Sequence, residues 1–266
     1  MSEVGGGQDD WLARARAAAS QPPLRPRAAL RVDVDGRSVL VGSIEREHGE
    51  RMVDAGLPIR RAGEGWQVDA PVTPSLAAIA AWLRDVGLAA GWRDELLAVV
   101  DAHERSVGAV ERGVVRVLGL MTHAVHLVGF AADGRRVWVQ QRAFDKATDP
   151  GLWDTLMGGQ VSAGETVETA LARETWEEAG LDIAALLDLR RGERITVRRP
   201  VAEGYMIEHV DVRIARLPDG DEPCNHDGEV VQFECLDRGS LEARLAAQEF
   251  TLEATLILAG ALSAVS

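Results

Sequence analysis

Hydrophobic and polar positions follow two periods along this chain of 266 residues. Arg31–Val34 and Ser38–Ile44 flank Asp35-Gly36, and Leu120–Ala131 and Val137–Gln141 flank Asp133-Gly134. Both patterns predict hairpins, because Asp-Gly accepts the positive φ of a tight turn. Pro74–Val86 has helical spacing, and Arg93–Val107 predicts a second helix after a loop at Leu88–Trp92. Thr155–Met157 leads into a glycine turn at Gly158-Gly159, and residues 166–179, free of Gly and Pro, predict the next helix. Thr166 suits its N-cap and Gly180 its C-terminal stop. Ile195–Arg199, Tyr205–Ala215 and Val230–Leu236 predict strands, and Leu241–Gln248 and Thr251–Ala264 closing helices. The last is apolar on most sides, so it belongs in the interior.

Strands interleaved with helices at this spacing imply an α/β/α sandwich over residues 113–266. Residues 30–112 predict a small α+β domain ahead of it, with no catalytic cluster of its own. Residues 1–29 open on a Gly-rich tail, continue through a short Ala/Arg helix around Trp11–Ala19, and end in the Pro-rich Gln21–Pro26. They predict a flexible lead-in or surface strap.

Composition narrows the function. A 46% hydrophobic content supports a sizeable core. No apolar run approaches the roughly 20 residues of a membrane span, and the start lacks a secretory leader's basic and apolar regions. Cys224 and Cys235 give no disulfide framework, which suits a reducing cytoplasm. With His226 they lack the fourth ligand and paired spacing of a zinc site. The net charge of −13 argues against nucleic acid as a partner. The charge is uneven: 14 Arg against 17 acids in residues 1–112 (net −3), and 15 basic against 25 acidic in residues 113–266 (net −10). An acidic half would repel a diphosphate unless divalent cations mediate.

The acids are patterned. Glu174, Glu177 and Glu178 fall within an arc of roughly 100° on the predicted helix. That arc overlaps the side carrying Val167, Ala170 and Leu171, so the carboxylates face partly inward, where unpaired charge is costly. Three crowded carboxylates repel one another unless a cation sits among them, and hard oxygen ligands suit Mg²⁺ or Mn²⁺. Arg173, four residues before Glu177, could hold its carboxylate. Just ahead lie Gly158, Gly159 and Gly164, which let backbone approach a phosphate or metal closely.

Gly159, Glu165, Arg173-Glu174, Glu177-Glu178 and Gly180-Leu181 are spaced as Gly-x5-Glu-x7-Arg-Glu-U-x-Glu-Glu-x-Gly-U, U being bulky aliphatic. The run resembles the Nudix box at every fixed letter; Thr175, where the first U belongs, departs from it. The resemblance implies the Nudix α/β/α sandwich with a mixed sheet. It also implies a Mg²⁺- or Mn²⁺-dependent hydrolase of a small-molecule diphosphate. By it, Glu174 and Glu178 are metal ligands, Glu177 is a third ligand or water-binder, and Gly159 supplies a carbonyl. Glu165 binds metal through water or anchors the loop, and Arg173 orients the glutamates. The general base is Glu174 or a carboxylate outside the box, of which Glu229 is the leading candidate.

The flanks narrow the branch. Val139–Lys146 and Pro150–Asp154 resemble Nudix proteins related to isopentenyl-diphosphate isomerase, but those need a cysteine near the glycine turn, where this chain has Leu156-Met157. Gly91–Leu96, Thr122–Phe130 and Asp227–Val230 resemble the thiamine-pyrophosphokinase-related Nudix hydrolases, which carry a small domain ahead of the Nudix domain. That implies thiamine diphosphate or its oxidised analogues as substrate. Arg142 or Lys146 could meet a terminal phosphate and Trp153 could stack on a ring, whereas His126 reads as a hydrogen-bonded core histidine and Trp92 as a packing residue. A non-catalytic sensor is the third alternative, disfavoured because every box glutamate is kept. The N-terminal unit could cover the pocket, form a homodimer or only stabilise the fold.

Overall fold

In the computed structural model, which describes residues 8–89 and 91–263, the first element is already packed. Helix α1 (Gln8–Ala18) buries Trp11 in the same apolar cluster as the C-terminal helices. Beyond it the Gln21 amide donates to the Arg198 carbonyl (2.8 Å) and the Tyr205 hydroxyl donates to the Gln21 carbonyl (2.7 Å). The expectation of a flexible lead-in over 1–29 is therefore corrected from residue 8 onward. Burying Trp11 and Ala19 outweighs the entropy of a loose segment. The Gly-rich start, residues 1–7, lies outside the described residues.

Strands β1 (Arg27–Val34) and β2 (Arg37–Glu45) pair antiparallel around Asp35-Gly36, both at positive φ (51° and 76°) as a tight hairpin requires. Helix α2 (Arg46–Asp54), strands β3 (Ile59–Ala62) and β4 (Gly65–Val68) and helix α3 (Val72–Asp85) follow. The sheet order is β2-β1-β4-β3, and α3 buries Leu76, Ile79 and Leu83 in the same core. The helix expected over Arg93–Val107 does not form. Strands β5 (Leu96–Val100) and β6 (Ser106–Glu111) make a hairpin there. The Asp101 carboxylate accepts from the His103 and Arg105 amides, and Glu104 adopts φ 60°. Two short Val-rich strands flanking this turn imitate helical spacing, and the local turn chemistry decides between the readings.

The larger sheet is mixed and has eight strands. These are β7 (Met121–Phe130), β8 (Val137–Arg142), β9 (Trp153–Asp154), β10 (Met157–Gln160), β11 (Leu187–Arg191), β12 (Ile195–Val201), β13 (Gly204–Arg216) and β14 (Val230–Leu236). Its path is β11-β13-β7-β8-β14, with β10 against β7, β12 against β13 and β9 against β8. The β7–β13 pair is parallel. Along β7 the side chains alternate between two cores. Val125 and Leu127 pack with Leu171 and Ala179 of helix α4 (Val167–Ala179). Ala124, Val128 and Phe130 pack with α1, α5 (Arg238–Ala246) and α6 (Leu252–Ser263). Helices therefore cover both faces, the α/β/α arrangement read from the sequence. Among the described residues no helix is long and apolar enough to cross a membrane.

The N-terminal unit, including its separate two-stranded β5–β6 sheet, is fastened to the rest of the chain. The Ala163 amide donates to the Leu96 carbonyl (2.8 Å), and Arg27 Nη2 donates to the Val117 carbonyl (2.6 Å). Arg194 bonds both Glu104 oxygens (2.7 and 3.0 Å) and Asp211 (2.8 Å), pinning the β5–β6 turn to the larger sheet. Donor atoms of Glu104, His123 and His209 lie within 4.8 Å of one another at this clamp. Arg194 already occupies its carboxylate.

Candidate active site

Helix α4 is positioned from both ends. Thr166 and Thr169 exchange side-chain-to-backbone hydrogen bonds (3.1 and 2.9 Å) at its start, and Gly180 ends it at φ 62°. The glutamates it carries meet different surroundings. Glu178 is 1% exposed. Its Oε2 accepts from Gln140 Nε2 (2.9 Å) and the Gly158 amide (3.0 Å), while Lys146 Nζ stands 3.4 Å from Oε1. Glu174 is largely buried and Glu177 half-exposed.

Arg173 gathers the group. Its guanidinium donates to both Glu165 oxygens (2.8 and 2.9 Å), to Glu174 (2.8 Å), to Glu177 (3.1 Å) and to the Gln160 carbonyl (3.3 Å). The second Glu165 oxygen also accepts from the Ser162 amide (3.1 Å), so Glu165 closes the loop before the helix. Burial, reinforced by the charge of Glu178, pushes the Glu174 carboxyl up to about 7 despite Arg173. Burial also raises Glu178, against the pull of Lys146. Two buried carboxylates with raised proton affinity beside one arginine and one lysine form a site short of positive charge.

Gly158 and Gly159 were expected in a turn; they lie in β10, opposite His126 and Val125 of β7. Their lack of a side chain matters for close approach. A Cβ on Gly159 would fall 2.1–2.3 Å from the Glu174 side chain, and one on Gly158 2.5–2.8 Å from the His126 ring. His126 is buried, as expected of a core histidine. Thr155 Oγ1 donates to the Met157 carbonyl (2.8 Å), so His126 Nδ1 donates to that hydroxyl (2.9 Å) and Nε2 is left as the acceptor. Burial lowers its pKa and keeps the ring neutral.

Arg142, Lys146 and Glu229 join Glu174, Glu177 and Glu178 in one cavity of about 410 Å³, which Glu165 does not line. Lys146 Nζ is 2.5 Å from Glu229 Oε2. Burial raises the Glu229 carboxyl, but the Lys146 contact outweighs this and holds it below the usual range. Arg142 bonds Asp154 (3.2 Å) and the carbonyls of Thr148 and Asp149 (3.0 and 3.2 Å). Trp153 is a correction: it is 5% exposed in the core shared with α5 and α6, under the Arg244 guanidinium (4.2 Å), and does not line the cavity. Strand β9 turns its indole inward, which the sequence around it does not signal. Trp92, expected to pack in the N-terminal unit, lies at its surface beneath Arg84 (4.5 Å). Cys224 is exposed in a loop and Cys235 lies in β14, away from the cavity.

Several residues of the site went unnoticed in the sequence. Glu95 and Arg112, joined at 2.7 Å, reach the cavity from the N-terminal unit, and Glu95 also accepts from the Ser162 hydroxyl (2.9 Å). On the opposite side Glu208 accepts from Thr122 (3.0 Å) and Gln160 (2.6 Å). Arg199 and Glu253 line the same wall. Two of these were signalled: Glu208 interrupts the buried alternation Met206, Val210, Val212, and Glu253 is the one charged residue of an apolar helix.

Glu253 carries a stability consequence. Burial, then the charges of Glu208 and Asp154, push its carboxyl from 4.5 up to about 7, with Arg199 opposing. Because the folded-state value is the higher, its contribution is full below about pH 4.5 and is lost as pH rises through 7. Glu253→Leu is therefore expected to flatten this slope and to raise stability at pH 8 by about 1–3 kcal/mol. Thermal melts of both proteins between pH 5 and 8 check it; an unchanged slope would place the titration elsewhere.

The family model for the NUDIX domain matches residues 121–255, half of the chain. An uncharacterized Nudix hydrolase of Pseudomonas aeruginosa is 39% identical over 92 residues, covering 35% of this chain and 54% of that protein. The chloroplastic Nudix hydrolase 20 of Arabidopsis thaliana is 29% identical over 178 residues, covering 62% of this chain and 45% of its own length. The chain thus spans about half the length of these curated relatives. A crystal structure from Deinococcus radiodurans superposes with a TM-score of 0.51 at 25% identity, over 62% of this chain and 99% of that one.

Proposed function

The chain belongs to the NUDIX domain family, and from that premise we propose that it is a divalent-metal-dependent hydrolase cleaving the phosphoanhydride of a small organic diphosphate. One observation carries the reading. Glu174 and Glu178, buried and short of positive charge, converge on Gly158-Gly159, where Glu174 leaves no room for a Cβ.

The donor set fits a hard cation such as Mg²⁺ or Mn²⁺: carboxylates from Glu174, Glu178 and Glu177, with the backbone of Gly159 beside them. Glu165 serves as the loop anchor of the two roles open to it, since both its oxygens are taken by Arg173. When bound, such an ion activates water for attack on phosphorus and neutralises the departing phosphate. Arg173 holds Glu174 and Glu177 in register, and Arg142 and Lys146 bring positive charge to the substrate side. Glu174 and Glu229 are the two candidate bases: Glu174 stands among the carboxylates that would hold the ion, and Glu229 is paired with Lys146 at the mouth of the same cavity. An isomerase is not favoured, because neither cysteine lines the cavity.

The flanking resemblances put thiamine diphosphate and its oxidised analogues at the head of a substrate panel that also includes nucleoside diphosphate sugars, dinucleotides and prenyl diphosphates. The panel is run with Mg²⁺ and with Mn²⁺ and the product phosphates are identified by mass. Release of phosphate or a monophosphate, abolished by a chelator and restored by added metal, is expected. Tight binding without turnover under either metal would instead favour a sensor.

A further inference from the structure

The wall of the cavity formed by Arg199, Glu253 and Gln160 holds polar atoms that the fold leaves unanswered. Glu253 is 8% exposed, and its Oε1 is buried without a hydrogen-bond partner. Gln160 gives its amide nitrogen to Glu208 (2.6 Å), yet its carbonyl oxygen is likewise unpartnered. Arg199 Nε is a buried donor that meets no acceptor among the described residues. All three side chains line the cavity that contains the box glutamates. Buried polar groups are almost always satisfied, so two acceptors and one donor left open on one wall describe a ligand's complement.

The lining adds a second constraint. Among the described residues, no Trp, Tyr or Phe lines this cavity or the smaller one that adjoins it through Arg112, Thr148 and Gln160. Selectivity among these residues therefore falls to polar groups rather than to ring stacking, and a ring-bearing substrate would be held by its N–H or O–H donors. A hydrocarbon group placed here would leave the open atoms of Glu253 and Gln160 dry and unpaired, which is strongly unfavourable.

We propose that Glu253, with Gln160 and Arg199, forms a recognition subsite for the organic part of the diphosphate, selecting substrates that present an O–H or N–H donor there over those that present only hydrocarbon. The subsite rests on the hydrolase reading for the position of the diphosphate at the box glutamates. Glu253 is then a specificity-determining residue that leaves the bond-breaking step to α4.

The test compares thiamine diphosphate and a nucleoside diphosphate sugar, which carry donors, with isopentenyl diphosphate, which carries none on its organic part. Affinity is read by calorimetry and turnover by phosphate release, with Mg²⁺ present. The wild type is expected to prefer the donor-bearing probes. Glu253→Leu, similar in volume and placed in an apolar helix, is expected to lower that preference by about 10- to 100-fold, through Kd and KM more than kcat. Glu253→Gln, which keeps an acceptor oxygen, should retain most of it. Equal loss on all probes, or a wild type indifferent to the donor, overturns the subsite. Lost preference in binding with no probe hydrolysed by the wild type would support the subsite while refuting the hydrolase. Turnover with unaltered selectivity would do the reverse.

Discussion

Glu178→Gln is expected to lower kcat by about two to three orders of magnitude at saturating Mg²⁺ while leaving the fold intact. The substitution keeps size and shape but removes the charge that a cation needs. A ligand's share of the charge stabilisation that a metal gives a phosphoryl transition state amounts to several kcal/mol, and each ~1.4 kcal/mol is tenfold in rate. The fold has reason to tolerate the change. Glu178 is buried, its carboxyl is pushed up by burial, and its Oε2 accepts from Gln140 and the Gly158 amide, bonds an amide oxygen can also accept. The affinity for Mg²⁺ should fall with the rate. Glu177→Gln, at a half-exposed position held by Arg173, should cost much less. Steady-state rates over a Mg²⁺ titration, beside melting curves, separate these outcomes. Full activity in Glu178→Gln would remove this carboxylate from the metal site.

The parts of this site that were legible in the sequence are those fixed by local geometry. Helical spacing alone brings Glu174, Glu177 and Glu178 to one side, and Thr166 and Gly180 mark where the helix begins and ends because caps depend on neighbours in sequence. Residues brought in from a distance were not legible. Lys146 was read as a residue for phosphate, yet it also bridges Glu178 and Glu229, a contact that requires the loop after β8 to fold over α4. Glu95 and Arg112 flank the β5–β6 hairpin, of which Arg93–Val107 was read as a helix, and they reach the cavity because β5 docks on the loop at Ser162 and Ala163. Trp153 failed in the other direction, its two-residue strand turning the ring into the core. The N-terminal sheet was half-read: β1, β2 and α3 were read, β3 and β4 have only four residues each, and α2 turns little more than Gly49 and Met52 inward from a charged surface. Thr175 departs from the family pattern and is fully buried with its hydroxyl unpartnered; nothing in the structure explains it.

Gly159→Ala separates the architecture of the site from its chemistry, because the atoms nearest the added methyl all belong to the flexible Glu174 side chain. Its Cβ would lie 2.1 Å from Cδ and 2.3 Å from Cγ and Oε1 of Glu174. That overlap cannot persist, and the cheapest relief is rotation of a flexible side chain, which takes the Glu174 carboxylate off Arg173 and away from Glu178. Misplacement of a reacting group by about 1 Å can cost ~100-fold in rate, so kcat is expected to fall by at least that much, with weaker Mg²⁺ binding. Melting temperature should change little, since Gly159 lies in β10 at an ordinary φ and the core beneath it is untouched. Gly158→Ala makes the contrast. Its methyl would strike the His126 ring at 2.5–2.8 Å, and that ring is buried and hydrogen-bonded to Thr155. Overpacking of this kind typically costs about 1–3 kcal/mol, so this variant should lose stability first. Adjacent glycines thus answer different demands, one of the box glutamate Glu174 and one of the buried His126. Equal activity in Gly159→Ala and wild type would mean that Glu174 works from another position.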